Sequence, residues 1–193
     1  MKVCIRGAFA LVVLTATQAA YANSGTINFT GSLNAATCTV APGAGAGGSG
    51  QNIDVAMGNV ALADLSTGSG SDFATTASFS IKIDCASGMT GLNTVKMAFD
   101  PRSGSGVDAE DPRLLRLTGT GNAGNATGVG IALINSANTV LNLNAAAAIA
   151  SPLSVTGDAA IADLSMRAAY VATNATPTAG SANATLPFTL TYE

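Results

Sequence analysis

Two cysteines, Cys38 and Cys85, are the side chains here best suited to making a covalent link. They form an even pair with 46 residues between them, and one disulfide is expected. On the chain-entropy model, closing a loop of that length contributes about 4 kcal/mol. There is no C-x-x-C, so redox or zinc chemistry has no support. Other chemistry is thinly provided. The sequence has no histidine, and so lacks the usual proton shuttle and the commonest metal ligand. Serines and threonines are plentiful but have no base beside them. Lys82 and Lys96 sit in strand patterns that turn them outward. The acidic run Asp108, Glu110 and Asp111 lacks the spacing and the glycine of a calcium loop and reads as a solvated loop. Tyr170 and Tyr192 are expected to pack in the core or its rim with their hydroxyls bonded. None of the 11 acidic residues lies near an aromatic platform that could serve a glycosidase. The expectation is no enzyme, no cofactor and no metal.

The elements that carry these residues read as strands. Phe79, Ile81, Ile83 and Cys85 alternate with polar residues, as do Val95, Met97 and Phe99 before Asp100-Pro101 stops the run. Leu115 and Leu117, residues 129–134, and residues 140–143 are further apolar pieces. Leu164, Met166, Ala168 and Tyr170 alternate again. Glycine-rich and polar stretches separate them, notably residues 42–50, 104–112 and 119–128. Residues 145–148 have helical propensity but no cap, and read as a turn. Many short strands at this spacing, with no convincing helix, predict an all-β sandwich.

The first residues read as a secretory leader. Lys2 and Arg6 precede a short apolar run, and Ala20-Tyr21-Ala22 supplies the cleavage pattern. The expected organisation is a signal peptide over residues 1–22, an N-terminal extension over 23–34 overlapping the first strand, and one domain over 35–193. The apolar run is too short to span a bilayer, and no later one reaches that length. Residues 23–193 carry 6 basic and 11 acidic side chains, a net charge of −5 that disfavours nucleic acid and anionic lipid.

Both ends of that mature chain alternate. Gly25, Ile27, Phe29, Gly31 and Leu33 share one parity at the start, and Leu186, Phe188, Leu190 and Tyr192 do so at the end. Several segments resemble those of the chaperone–usher pilins, the type 1 fimbrial subunits. These are Gly25-Thr26-Ile27-Asn28-Phe29-Thr30-Gly31 with its spacing to Cys38, Phe79-x-Ile81-x-Ile83-x-Cys85, and Gly128-Val129-Gly130-Ile131. Ala168-Ala169-Tyr170-Val171-Ala172-Thr173 and the pair Gly180 and penultimate Tyr192 complete the set. The resemblance runs in order through the mature chain.

It implies an immunoglobulin-like sandwich lacking its last strand. The gap is filled first by a strand of a periplasmic chaperone and then, at an outer-membrane usher, by the N-terminal extension of the next subunit. By the same resemblance, Gly25, Ile27, Phe29, Gly31 and Leu33 form the donor strand. Gly180, Leu186, Phe188, Leu190, Tyr192 and Glu193 belong to the acceptor groove and chaperone-binding strand, the chaperone holding the carboxylate of Glu193. The implied role is a structural subunit of an adhesive pilus on the bacterial surface, exported through the periplasm, whose partners are sibling subunits. The alternatives are a minor adaptor or a tip-associated carbohydrate-binding adhesin. Pro187 has no N–H and is expected to cost the acceptor strand one ladder bond.

Overall fold

The computed structural model describes residues 37–67, 73, 75–145, 147–173 and 176–193. The alternation read from the sequence becomes strands that bury one parity. In β5 (Ala77–Cys85), Phe79, Ile81, Ile83 and Cys85 are buried while Ser78, Lys82 and Asp84 face out. β11 (Ala159–Ala172) pairs antiparallel with β5 and buries Leu164, Met166 and Ala168. On its other side runs β8 (Val129–Ile134), followed by β7 (Leu115–Arg116). β1 (Cys38–Pro42) closes the opposite edge, so the sheet runs β1-β5-β11-β8-β7. β4 (Ser66–Thr67) and β10 (Ser154–Thr156) pair with stretches of β11. A second sheet is formed by β12 (Phe188–Tyr192), β6 (Thr94–Phe99) and β9 (Ala148–Pro152), in that order. Ile81, Ile83, Leu164 and Met166 of the large sheet share one apolar core with Val95, Met97 and Leu190 of the small one. Two sheets around one core make an all-β sandwich. Burying each such side chain contributes roughly 1.5–3 kcal/mol.

The disulfide joins Cys38 and Cys85, which stand directly opposite each other in the β1–β5 register, with 3.9 Å between their Cα atoms. Met89 packs its sulfur 3.9 Å from that of Cys38, sealing the bridge from the core side. The edge strand β1 is thereby clamped to the sheet.

Several sequence expectations are corrected. The glycine-rich segment 42–50 is no plain loop, because β2 (Gly47–Ser49) within it pairs in a hairpin with β3 (Asn52–Asp54), where Ile53 is expected to begin a short strand. Its start bulges over the outer face of β5. The Gly43 amide donates to the Ser80 carbonyl, and the Ser80 amide donates to the carbonyl of Ala44, so two residues oppose one. Ser80 is buried by this cover even though it lies on the polar parity. Residues 140–143 make only an isolated bridge, Val140 to Ile134, before a 3-10 turn over Leu143–Ala145. β9 and β10 carried no strand reading in the sequence. The acidic run is not uniformly solvated either, since Asp108 is buried and its carboxylate accepts the amides of Glu110 and Asp111.

β8 is buried on both faces. Its outer face is covered by a second small apolar cluster of Leu114, Ala132 and Val171, with Phe73 and Val140 against it. Gly130 makes that cover possible, because a Cβ there would stand 3.0 Å from Leu114 Cβ. Gly130→Ala is therefore expected to destabilise the fold by about 1–3 kcal/mol through overpacking. The check is the urea midpoint of the purified variant against that of the parent chain.

Candidate functional site: the edge of the C-terminal strand

Among the described residues β12 has one hydrogen-bonded neighbour, β6, in antiparallel register from Phe188↔Phe99 to Tyr192↔Val95. An extended residue in an antiparallel pair points its N–H and C=O to the same side, and the side alternates along the chain. Four backbone bonds fix which side is which. The Asp100 amide donates to the Pro187 carbonyl (2.9 Å), and the Glu193 amide donates to the Thr94 carbonyl (2.8 Å). Upstream, the Ser105 amide donates to the Thr185 carbonyl (2.9 Å) and the Thr118 amide to that of Asn183 (2.7 Å). Odd-numbered residues from 183 to 193 thus turn their main chain inward. Leu186, Phe188, Leu190 and Tyr192 turn theirs to the opposite, open edge. Among the described residues nothing bonds to those N–H and C=O groups.

The same four side chains are half-buried against the main core, while Thr189 and Thr191 are exposed. A strand in the middle of a sandwich would bury them fully. Here the apolar row is half-buried and lies beside a main chain that no described residue pairs.

This geometry locates the ladder bond that Pro187 is expected to cost. Its carbonyl is bonded to Asp100 on the β6 side, so its nitrogen also points there. The absent N–H is a gap in the internal ladder, and the open edge loses nothing.

The chain end is held closely. One oxygen of the terminal carboxylate accepts the amides of Asn93 (2.5 Å) and Thr94 (2.8 Å), and the Glu193 side chain pairs with Lys96 Nζ. That ion pair is exposed and adds little stability. Gly180 lies upstream of β12, away from the open row. It packs backbone against backbone, and a Cβ there would meet the Asn125 carbonyl carbon at 2.4 Å and the Ala126 nitrogen at 2.5 Å. Its role is close approach of two loops. Two residues on, the Ala182 carbonyl accepts the Tyr170 hydroxyl (2.7 Å), which ties the segment to β11. Burial raises the pKa of both Tyr170 and Tyr192 above the ordinary phenol value. Gly25, Ile27, Phe29, Gly31 and Leu33 lie outside the described residues. Among the described residues no group of three His, Cys, Asp or Glu side chains could hold a metal, and no helix is long and apolar enough to cross a membrane.

A model of the fimbrial protein family matches residues 27–193. The chain belongs to that family. The family is one of structural proteins, not enzymes. This fimbrial chain is 34% identical over 189 residues to "Long polar fimbria protein A" of Salmonella typhimurium, covering 94% of this chain and 91% of that protein. It is 33% identical over 197 residues to "Probable major fimbrial subunit LpfA" of Escherichia coli O157:H7, covering 96% and 95%. Among solved structures, it is similar to the CupB6 tip adhesin of Pseudomonas aeruginosa, with TM-score 0.48, 27% identity, and coverage of 69% of this chain and 35% of that one. It is also similar to a type I fimbria protein of Burkholderia pseudomallei, with TM-score 0.44, 24% identity, and coverage of 83% and 99%.

The turns framing the fimbrial domain carry three carboxylates with lowered pKa. The Arg113 side chain bonds that of Asp111, the Ser103 hydroxyl bonds Asp100, and the Gly88 amide bonds Asp158, with the Thr90 hydroxyl next (2.9 Å). Each carboxyl takes up a proton more readily in the unfolded chain than in the folded one. Their stabilisation is complete above the unfolded value, about 4, and is lost as the pH falls through the lower folded values. The urea midpoint is expected to hold between about pH 7 and 5 and to drop below about pH 4. Asp111→Asn is expected to remove part of that drop, read from the same titration. Gly180→Ala meets main-chain atoms that cannot swing aside. It is expected to cost about 1–3 kcal/mol or more, measured by thermal or urea unfolding.

Proposed function

We propose that this fimbrial chain is a structural subunit of an adhesive pilus that polymerises by strand addition along β12. The observation that carries the reading is the coincidence, at Leu186, Phe188, Leu190 and Tyr192, of a main-chain edge that no described residue pairs with a half-buried apolar row. Such an edge pairs with any suitable strand it meets. The residues with the matching alternation are Gly25, Ile27, Phe29, Gly31 and Leu33, at the start of the chain expected after cleavage.

In this reading a periplasmic chaperone covers the edge during export. The outer-membrane usher then exchanges that cover for the extension of the next subunit. Burying Ile27, Phe29 and Leu33 contributes roughly 5–9 kcal/mol, and each net main-chain bond adds about 1 kcal/mol. Because the contact is head-to-tail, it does not close on itself, and it builds filaments on the cell surface. One oxygen of the terminal carboxylate is already held by Asn93 and Thr94, so a basic residue of the chaperone takes the other. The relative from Escherichia coli O157:H7 is named as a major subunit. That favours a shaft-building role over a minor adaptor or a tip adhesin.

Deleting residues 23–30 tests the reading. The truncated subunit is expected to remain in the chaperone-bound fraction and to form no filaments by electron microscopy. Filaments at the parent level would overturn the proposal.

A further inference from the structure

The outer face of the large sheet carries a groove of about 510 Å³, a size that holds a small ligand. Its floor is β5 and β11 side by side, with Ser78 opposite Arg167 and Ser80 opposite Ser165. One wall is the bulge at Ala44 and Gly45, and the other is the turn after β8 at Asn135 and Ser136. No residue of β12 lines it, so the groove owes nothing to strand addition.

Two charges of opposite sign stand along it. Asp163 and Arg167 share the outward parity of β11 four residues apart, which sets their Cα atoms about 13 Å from each other. Neither enters an ion pair among the described residues, although Lys82 stands opposite Asp163 in the register. Both groups are nonetheless held in place. The Ala44 amide donates to Ser80 Oγ (3.0 Å), and Ser80 Oγ donates to one Asp163 oxygen (3.2 Å). Ser165 Oγ donates to the other (3.0 Å). A carboxylate offers about four acceptor positions, so about two stay free. Arg167 donates to the side-chain oxygen of Asn138 and keeps most of its donors. Asn138 is the one described non-glycine residue with a positive φ, 61°, a conformation that asparagine tolerates. Its turn is fixed by the Asn138 amide on the Asn135 carbonyl (3.0 Å) and the Thr139 amide on the Asn135 side chain (2.9 Å).

We propose that this groove binds a short peptide in its zwitterionic form, with the carboxylate on Arg167 and the ammonium on Asp163. A guanidinium takes a carboxylate through two parallel bonds, and the free positions of Asp163 accept an ammonium. An extended tripeptide spans roughly 10 Å. Charged bonds of about 2.8 Å at its two ends bring its reach to the scale of the spacing on β11. Between the ends, Ser78, Ser136 and the Asn135 amide suit the polar groups of a peptide main chain. A sugar acid could also use Arg167. Yet Phe79, the one aromatic residue lining the groove, is buried on the core side of β5, so no ring is offered to the apolar face of a sugar. A plain anion would leave Asp163 without a partner.

Ligand-observed saturation-transfer NMR on the purified full-length protein tests this, with trialanine as the probe. Trialanine is expected to bind. Capping either end, as N-acetyl-trialanine or as trialanine amide, is expected to weaken binding about three- to fivefold. Asp163→Asn is expected to weaken trialanine by a similar factor and to leave N-acetyl-trialanine at its parent affinity. Arg167→Gln is expected to do the same with respect to trialanine amide. The capped peptides are compared on the parent chain, so a variant that fails to fold does not remove the test. Absence of transfer to trialanine, or equal affinity of capped and uncapped peptides, overturns the proposal. Glucuronic acid binding as tightly as trialanine overturns it as well. Each of these results leaves strand addition at β12 untouched.

Discussion

The architecture depends on the obligation of every extended residue to place its N–H and C=O somewhere. Inside the sandwich that obligation is met by neighbours. β11 is served by β5 on one side and β8 on the other, and β6 lies between β12 and β9. At β12 the described residues supply one side only. Water can satisfy those groups singly, yet the apolar row alternating with them gains from leaving water. The edge therefore has main-chain and hydrophobic reasons to acquire a strand, and both act on the same four residues.

The rest of the fold reads as a scaffold that keeps this edge straight. Residues 93 to 118 bind the inward-facing parity of the C-terminal segment through backbone bonds at Asn183, Thr185, Pro187 and Glu193. Gly180 and the Tyr170 hydroxyl fix where that segment begins, and the carboxylate contacts at Asn93 and Thr94 fix where it ends. The other edge of the large sheet, β1, is clamped by the Cys38–Cys85 bridge.

Much of this was legible in the residues. The period-two patterns of β5, β6, β12 and the second half of β11 use large apolar side chains against polar ones, so one face declares itself. The disulfide followed from an even cysteine pair. β9 and the first residues of β11 were not legible. Ala148, Ala150, Ala159, Ala160 and Ala162 are small enough to suit either face, and the contrast disappears. The buried Ser80 and the second cluster at Leu114 depend on a bulge and on a loop crossing the outer face, both set by distant segments. The side of the C-terminal segment that Pro187 affects was hidden for a different reason. Composition shows that an N–H is absent, but only the pairing partner decides which side of the strand lacks it.

The bridge between Cys38 and Cys85 has an electrical consequence. It removes the only thiols of residues 23–193, and the sequence contains no histidine. Burial moves Tyr170 and Tyr192 further from neutrality. That region therefore carries neither a free thiol nor an imidazole, the two side chains whose ordinary pKa values lie between those of carboxylates and phenols. A fibre built from many such copies lacks the side chains that ordinarily titrate near neutrality. The repulsion between adjacent filaments then has dissolved salt as its chief control near neutral pH.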